Sequence, residues 1–231
     1  MLEAIVMAAG EGRRLRPLTK RWPKPILPID GRPVIATLVR ELHAAGCRRV
    51  TVVTGYLAGQ VEQLLGDGSG FGLELRYARQ PRPDGSADAV SRGLEAGAEP
   101  PLLICTADTV FSSGDVATFA RKLEQSEAPG AVAIRRDPPT GAGVEVEDGR
   151  VRKIIGAAFD PFAHASLWGL GRELLPYLEG LSGPPFELAD AYQRAIDDGC
   201  EISAIEVART RDLTDPLDLV TENFVYLAGH E

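Results

Sequence analysis

The chain has too few cysteines, too widely spaced, to be stapled by disulfides or to hold a cluster metal. Cys47, Cys105 and Cys200 are odd in number and lack metal-ligand spacing, which suits buried or incidental thiols in a reducing compartment. No apolar stretch approaches the length needed to span a bilayer. The first residues run straight into a strand-like segment, with no basic n-region ahead of an apolar h-region. A cytoplasmic protein without a membrane partner is therefore expected. A surplus of positive charge is also lacking: 25 Lys and Arg stand against 33 Asp and Glu, a net charge of −8. General nucleic-acid binders carry a broad basic surface, so nucleic acid is not expected as a partner.

Against that acidic background one segment is basic. Arg13, Arg14, Arg16, Lys20, Arg21 and Lys24 lie within a dozen residues beside a single acid, Glu11. They follow a short apolar run and a Gly10-Glu11-Gly12 turn. Small residues let a backbone approach a ligand closely, and free N–H groups cradle phosphate oxygens. Positive potential focused in an acidic protein suits a small anion. Arg14 and Lys24, separated by a proline-punctuated loop, are candidates to complete a cage around a polyphosphate. A solvated charged loop is the plainer alternative. The glycines and prolines that fix the segment weigh against it.

At 231 residues, with 44% hydrophobic and 25% charged positions, the chain suits one compact domain, with room for an added lobe. Residues 2–7 read as a buried strand ending at the glycine turn. Pro33 and Gly46 bracket a helix whose Val34, Ile35, Leu38, Val39 and Leu42 share one face. Strands are expected at 49–54, 73–77 and 102–105, and helices at 58–65 and 86–96. Beyond that, strands are expected at 131–134, 165–170 and 201–207. Residues 143–147 and 150–155 flank Asp148-Gly149, a two-residue hairpin signal. Helices at 186–198 and 217–227 complete the reading. This alternation implies a three-layer α/β/α, Rossmann-like fold on a mixed, mainly parallel sheet. Ligands then bind at strand carboxyl ends, where the glycine loop, residues 80–85 and Asp108 converge.

The Gly10-Glu11-Gly12 turn is not a dinucleotide fingerprint, because Leu15 holds the position of the third glycine, and no Gly-Lys-Ser/Thr end makes it a P-loop. Its continuation is specific: Arg14-Leu15-Arg16-Pro17-Leu18-Thr19, then Pro23-Lys24-Pro25 and Leu27-Pro28. This segment resembles the signature loop of the sugar-1-phosphate nucleotidyltransferases. Gln80-Pro-Arg-Pro-Asp-Gly-Ser-Ala-Asp-Ala-Val90 resembles that family's base-recognition segment. Leu103-Ile-Cys-Thr-Ala-Asp108 resembles the strand leading to its metal-binding aspartate. Asp212-Leu-Thr-Asp-Pro-Leu-Asp-Leu219 resembles its closing motif.

The resemblance implies a single nucleotidyltransferase domain over 1–231, with 1–110 as the nucleotide half and 111–231 as the acceptor half. It implies nucleotide contacts from Met7, Ala8, Ala9, Gly10, Gly12, Gln80 and Gly85, and acceptor contact from Gly143. Asp108 and Asp212 would hold Mg²⁺, Arg14 the leaving phosphates, and Lys24 the α-phosphate and the incoming sugar phosphate. The partners implied are a nucleoside triphosphate and a sugar 1-phosphate, with a homo-oligomer allowed. The residue chemistry agrees with this. A phosphate nucleophile is already ionised at neutral pH, so His43, His164 and His230 are spectators, and catalysis rests on positioning and charge. Magnesium accepts two carboxylates plus phosphate oxygens and water. Plainer roles exist: a surface ion pair for Arg14, a helix cap for Asp108 or one of Asp212, Asp215 and Asp218, an ordinary loop position for Gln80, core for Trp168.

Departures from the family pattern gather in the acceptor half. Ala107 and Ala142 replace a glycine and a tyrosine, and Thr214-Asp215 replaces Gly-Thr. Ile155-Gly-Ala-Ala-Phe159 carries no lysine where an acceptor-binding lysine is usual. The acceptor is therefore open between a hexose 1-phosphate, an amino-sugar acid phosphate and phosphocholine, and a nucleotide-binding protein without turnover is the outlying alternative.

Overall fold

The computed structural model describes residues 2–136, 143–154 and 162–224. Its centre is a nine-stranded sheet: β1 (Glu3–Ala8), β2 (Arg49–Thr54), β3 (Glu74–Arg79), β4 (Leu102–Thr106), β5 (Gly130–Arg136), β6 (Val144–Glu147), β7 (Arg150–Ile154), β8 (Phe162–Leu170) and β9 (Ile202–Glu206). The spatial order is β3-β2-β1-β4-β8-β5-β9-β7-β6. β3, β2, β1 and β4 are parallel neighbours, and β9 runs parallel to β5. β8 enters antiparallel between β4 and β5, and β7 runs antiparallel to β9. Only β8 and β7 oppose β1, which makes the sheet mixed and mainly parallel.

The helices are α1 (Val34–Ala44), α2 (Ala58–Leu65), α3 (Ser86–Glu95), α4 (Asp115–Gln125), α5 (Leu188–Asp197) and α6 (Pro216–Thr221). Side chains of a strand alternate between faces, and β1 shows the consequence. Ala4, Val6 and Ala8 join the core beneath α1, α2 and α4, whereas Ile5 and Met7 face the core beneath α3 and α5. Burial on both faces explains why β1 and β4 read as unbroken apolar runs. The layers are thus α/β/α, as the alternation implied.

Local signals account for most boundaries. Asp148 and Gly149 both have positive φ, 51° and 73°, the backbone that a tight two-residue hairpin between β6 and β7 needs. Two differences stand out. α4 escaped the sequence reading, although Val116, Phe119, Ala120 and Leu123 follow helical spacing and are buried. The closing helix is shorter than expected: Pro216–Thr221, capped by Asp215, whose carboxylate accepts from Leu217 N at 2.8 Å, and by the reciprocal Asp218 bond. The expected continuation past residue 224 lies outside the described residues, as do Ala142 and residues 155–159 of the acceptor half. No helix among the described residues is long and apolar enough to cross a membrane.

Candidate active site

The carboxyl ends of β1 and β4 lie side by side, tied by Ala107 N donating to Met7 O at 3.0 Å. Above them opens a cavity of about 330 Å³ lined by Met7, Ala8, Gly10, Gly12, Arg14, Lys24 and Asp108, together with Thr106 and Thr214. Seven of the residues singled out in the sequence therefore share one cleft. Gly12 holds its tight turn at φ 61°, ψ 41°, left-handed backbone that favours glycine. A Cβ there would lie 3.0 Å from Thr19 Cγ2 and 3.1 Å from Lys24 Cβ. The buried Thr19 clamps the turn, its hydroxyl donating to Gly12 O at 2.9 Å.

One small apolar cluster, Leu15, Leu27, Ile29, Val34, Val110 and Leu213, sits under the loop. Leu15 neighbours Arg14, and Leu213 neighbours Asp212. Val110 belongs to the ribbon that pairs Thr109–Val110 with Arg211–Asp212, and Leu213 N donates to Asp108 O at 3.2 Å. Packing of three distant segments thereby sets Arg14 and Asp108 beside the ribbon that carries Asp212.

The charges are less free than the sequence suggests. Glu11 binds Arg13 at 2.8 Å and Arg16 at 3.2 Å. The Arg13 hydrogen bond, with both guanidinium charges, holds its carboxyl below the usual range. Arg14 is exposed at the cleft mouth, and Lys24, mostly buried, pairs with Asp108. Asp212 does not line the cleft. Its Oδ1 accepts from Thr109 Oγ1 at 2.6 Å, and its Oδ2 from Thr210 Oγ1 at 3.1 Å and Arg135 at 3.3 Å. Arg135, which the sequence reading missed, also donates to Thr210 Oγ1 at 2.6 Å. No motif marks it; only the crossing of β5 past the ribbon places it there.

The remaining candidates are not among the residues that line the cleft. Ala9 is buried, its carbonyl accepting from Tyr56 N at 3.1 Å. Gln80 is buried too, its amide nitrogen donating to Gly85 O at 2.9 Å and Asp88 Oδ2 at 2.8 Å, so it braces its own loop. Gly85, at φ 113°, ψ 173°, abuts Phe186. Gly143 stands apart at the start of the β6–β7 hairpin, bridged to Ala163. His164 lies near Arg135 and Asp212. Burial, then Arg135, pulls its pKa below 6.5, and Asp212 opposes them. Desolvation pushes the Cys47 thiol up to about 12 and the Cys105 thiol up as well, so neither is a nucleophile at neutral pH.

The arrangement offers a backbone cradle, two cations and a carboxylate at a parallel-sheet rim, which is machinery for a phosphorylated ligand. Among the described residues no three His, Cys, Asp or Glu side chains gather into a protein-only metal cage. Asp108 and Asp212 are both hard oxygen donors: Asp212 lies in the ribbon opposite Thr109, and Asp108 immediately precedes Thr109. Carboxylates of this kind suit a magnesium ion that takes its other ligands from phosphate and water, but here Asp108 pairs with Lys24, and Asp212 is engaged by Thr109, Thr210 and Arg135.

The profile of the Nucleotidyl transferase family matches residues 3–155. A low-salt glycan biosynthesis nucleotidyltransferase, Agl11, of Haloferax volcanii is 26% identical over 98% of this chain and 66% of its own length. A glucose-1-phosphate thymidylyltransferase of Streptomyces antibioticus is 28% identical over 89% of this chain and 60% of its own. An N-acetylmuramate α-1-phosphate uridylyltransferase of Neisseria meningitidis is 33% identical over 51% of this chain and 52% of its own. The chain thus spans between half and two thirds of the length of these relatives. A UDP-glucose pyrophosphorylase solved with UDP-glucose superposes with a TM-score of 0.82 at 20% identity, covering 100% of both chains, a likeness of fold. The chain belongs to the sugar-1-phosphate nucleotidyltransferase family.

Proposed function

We propose that the protein transfers a nucleoside monophosphate from a nucleoside triphosphate to a sugar 1-phosphate, with Mg²⁺, releasing pyrophosphate. The observation that carries this reading is the single cleft in which the Ala8–Gly12 backbone, Arg14, Lys24 and Asp108 meet. An acceptor phosphate oxygen attacks the α-phosphorus in line. A new P–O bond forms as the α–β anhydride bond breaks, and the electron pair leaves with pyrophosphate. Arg14, at the cleft mouth without an ion pair among the described residues, neutralises the β- and γ-phosphates. Lys24, held between Pro23 and Pro25, turns from Asp108 to the α-phosphate and spreads the charge of the transition state. Asp108 and Asp212 would hold the magnesium ion, which when bound would supply charge neutralisation for the triphosphate.

A matrix of nucleoside triphosphates against sugar 1-phosphates and phosphocholine, with and without Mg²⁺, tests the reading by pyrophosphate release. At least one pair turns over, and only with the metal. Lys24→Ala lowers kcat by roughly 10²–10³-fold, the usual cost of removing one preorganised charge-stabilising group. Silence across the whole matrix, or full rate in the variant, overturns the proposal.

A further inference from the structure

Beside the main cleft lies a second chamber of about 170 Å³, and Met7 and Thr106 line both. Its far wall is β8 and the start of α5: His164, Ser166, Trp168 and Glu187, with Ser86 from the tip of α3. β8 is irregular there. Its pairing with β5 shifts register between His164 and Trp168, and Ser166 sits at φ 56°, left-handed backbone uncommon for a residue with a Cβ. Strain of this kind concentrates at binding sites. His164, Ser166 and Trp168 are alternate positions on one strand, and all three line the chamber.

The polar groups of this wall are incompletely used. Glu187 Oε2 accepts from Ser86 Oγ at 2.5 Å, and Ser86 Oγ in turn accepts from Leu188 N at 2.7 Å. Among the described residues none donates to Glu187 Oε1, and none partners the buried His164 Nδ1. Buried polar atoms in native proteins normally find partners. The positive end of α5 does not change the sign of this wall, because Glu187 itself stands at its N-cap and Ser86 takes its first N–H. The chamber therefore presents one carboxylate and one imidazole, with the mostly buried Trp168 as its apolar wall. Such a wall hydrogen-bonds hydroxyls and repels a second carboxylate.

Resting on the transferase reading above, we infer that Glu187 sets acceptor specificity: it accepts a ring hydroxyl of an uncharged sugar 1-phosphate and rejects sugar 1-phosphates that carry a carboxylate. The sugar ring lies against Trp168, with His164 as the second polar contact, while its phosphate reaches the main cleft past Met7 and Thr106.

The test compares glucose 1-phosphate with glucuronic acid 1-phosphate, which differ in charge at one position. The wild type turns over the first with a kcat/KM at least about tenfold above the second, since a like-charge contact in a shielded pocket suppresses the wrong ligand. Glu187→Gln keeps the shape, loses roughly tenfold on glucose 1-phosphate as a charge-assisted bond becomes neutral, and gains on the acid, so that the preference collapses. Equal wild-type use of the two acceptors overturns the inference, as does an unchanged preference in the variant. Should neither acceptor turn over, the transferase reading is judged by the full substrate matrix, and calorimetric titration of both ligands still decides the chamber. Equal affinities in the wild type refute the role of Glu187.

Discussion

Replacing Gly85 by alanine isolates the contact that closes the rim between the two halves of the chain. Gly85 sits at φ 113°, ψ 173°, a region open essentially to glycine alone and costing any other residue about 1–3 kcal/mol. The new Cβ would also stand 2.2 Å from Phe186 O and 2.4 Å from Phe186 N. Those are backbone atoms, and Phe186 is itself pinned by Phe186 N donating to Asp84 O at 2.7 Å and Ala87 N donating to Phe186 O at 2.9 Å. No rotamer change relieves the overlap, so overpacking adds a further ~1–3 kcal/mol. The expected loss is roughly 2–6 kcal/mol, a large share of the ~5–15 kcal/mol that holds a typical protein folded. Urea unfolding followed by circular dichroism reads it as a lower midpoint at unchanged slope. Gly59→Ala is the control: its Cβ meets nothing within 4 Å inside α2, so it gains about 0.5–1 kcal/mol. A Gly85→Ala protein within about 1 kcal/mol of wild type would refute the reasoning, since even the backbone cost alone would then be missing.

Two further outcomes follow from the packing and charge around the cleft. Gly12→Ala meets Thr19 and Lys24 at 3.0 and 3.1 Å from a left-handed backbone; it costs about 1–2 kcal/mol of stability and, by displacing Lys24, lowers kcat more than it raises the triphosphate KM, a split that steady-state kinetics resolves. His164, held below its ordinary pKa by burial and Arg135, resists protonation in the folded state while the unfolded chain takes the proton. Its contribution to stability is complete above pH 6.5 and is lost as pH falls from there toward the lowered value. Urea midpoints at pH 7.5 and about pH 5.5 should therefore diverge more in the wild type than in His164→Gln, and equal divergence contradicts the burial argument.

The local grammar of the chain was legible from its residues wherever the physics is local. β1, α1 and the Asp148-Gly149 hairpin follow from periodicity, Pro and Gly punctuation and turn chemistry, which act within a few residues. α4 shows the limit. Its apolar positions are helical in spacing, yet charged and polar side chains such as Arg121, Lys122, Glu124 and Gln125 break up the run. The pattern gains meaning only once the sheet beneath it exists. The glycine loop was legible for the same local reason: Gly12 must turn, and Arg14 and Lys24 follow the turn.

What sequence alone determined is the content of the cleft's near side, residues 7–24, because backbone conformation and charge are carried there by consecutive positions. Tertiary structure decided the rest. Arg135 reaches Asp212 only because β5 passes the ribbon, and the Lys24–Asp108 pair joins residues 84 positions apart. The second chamber assembles from β1, α3, β4, β8 and α5, five segments whose proximity depends on β8 entering antiparallel beside β4. Strand order is a property of global packing, and no window of residues encodes it.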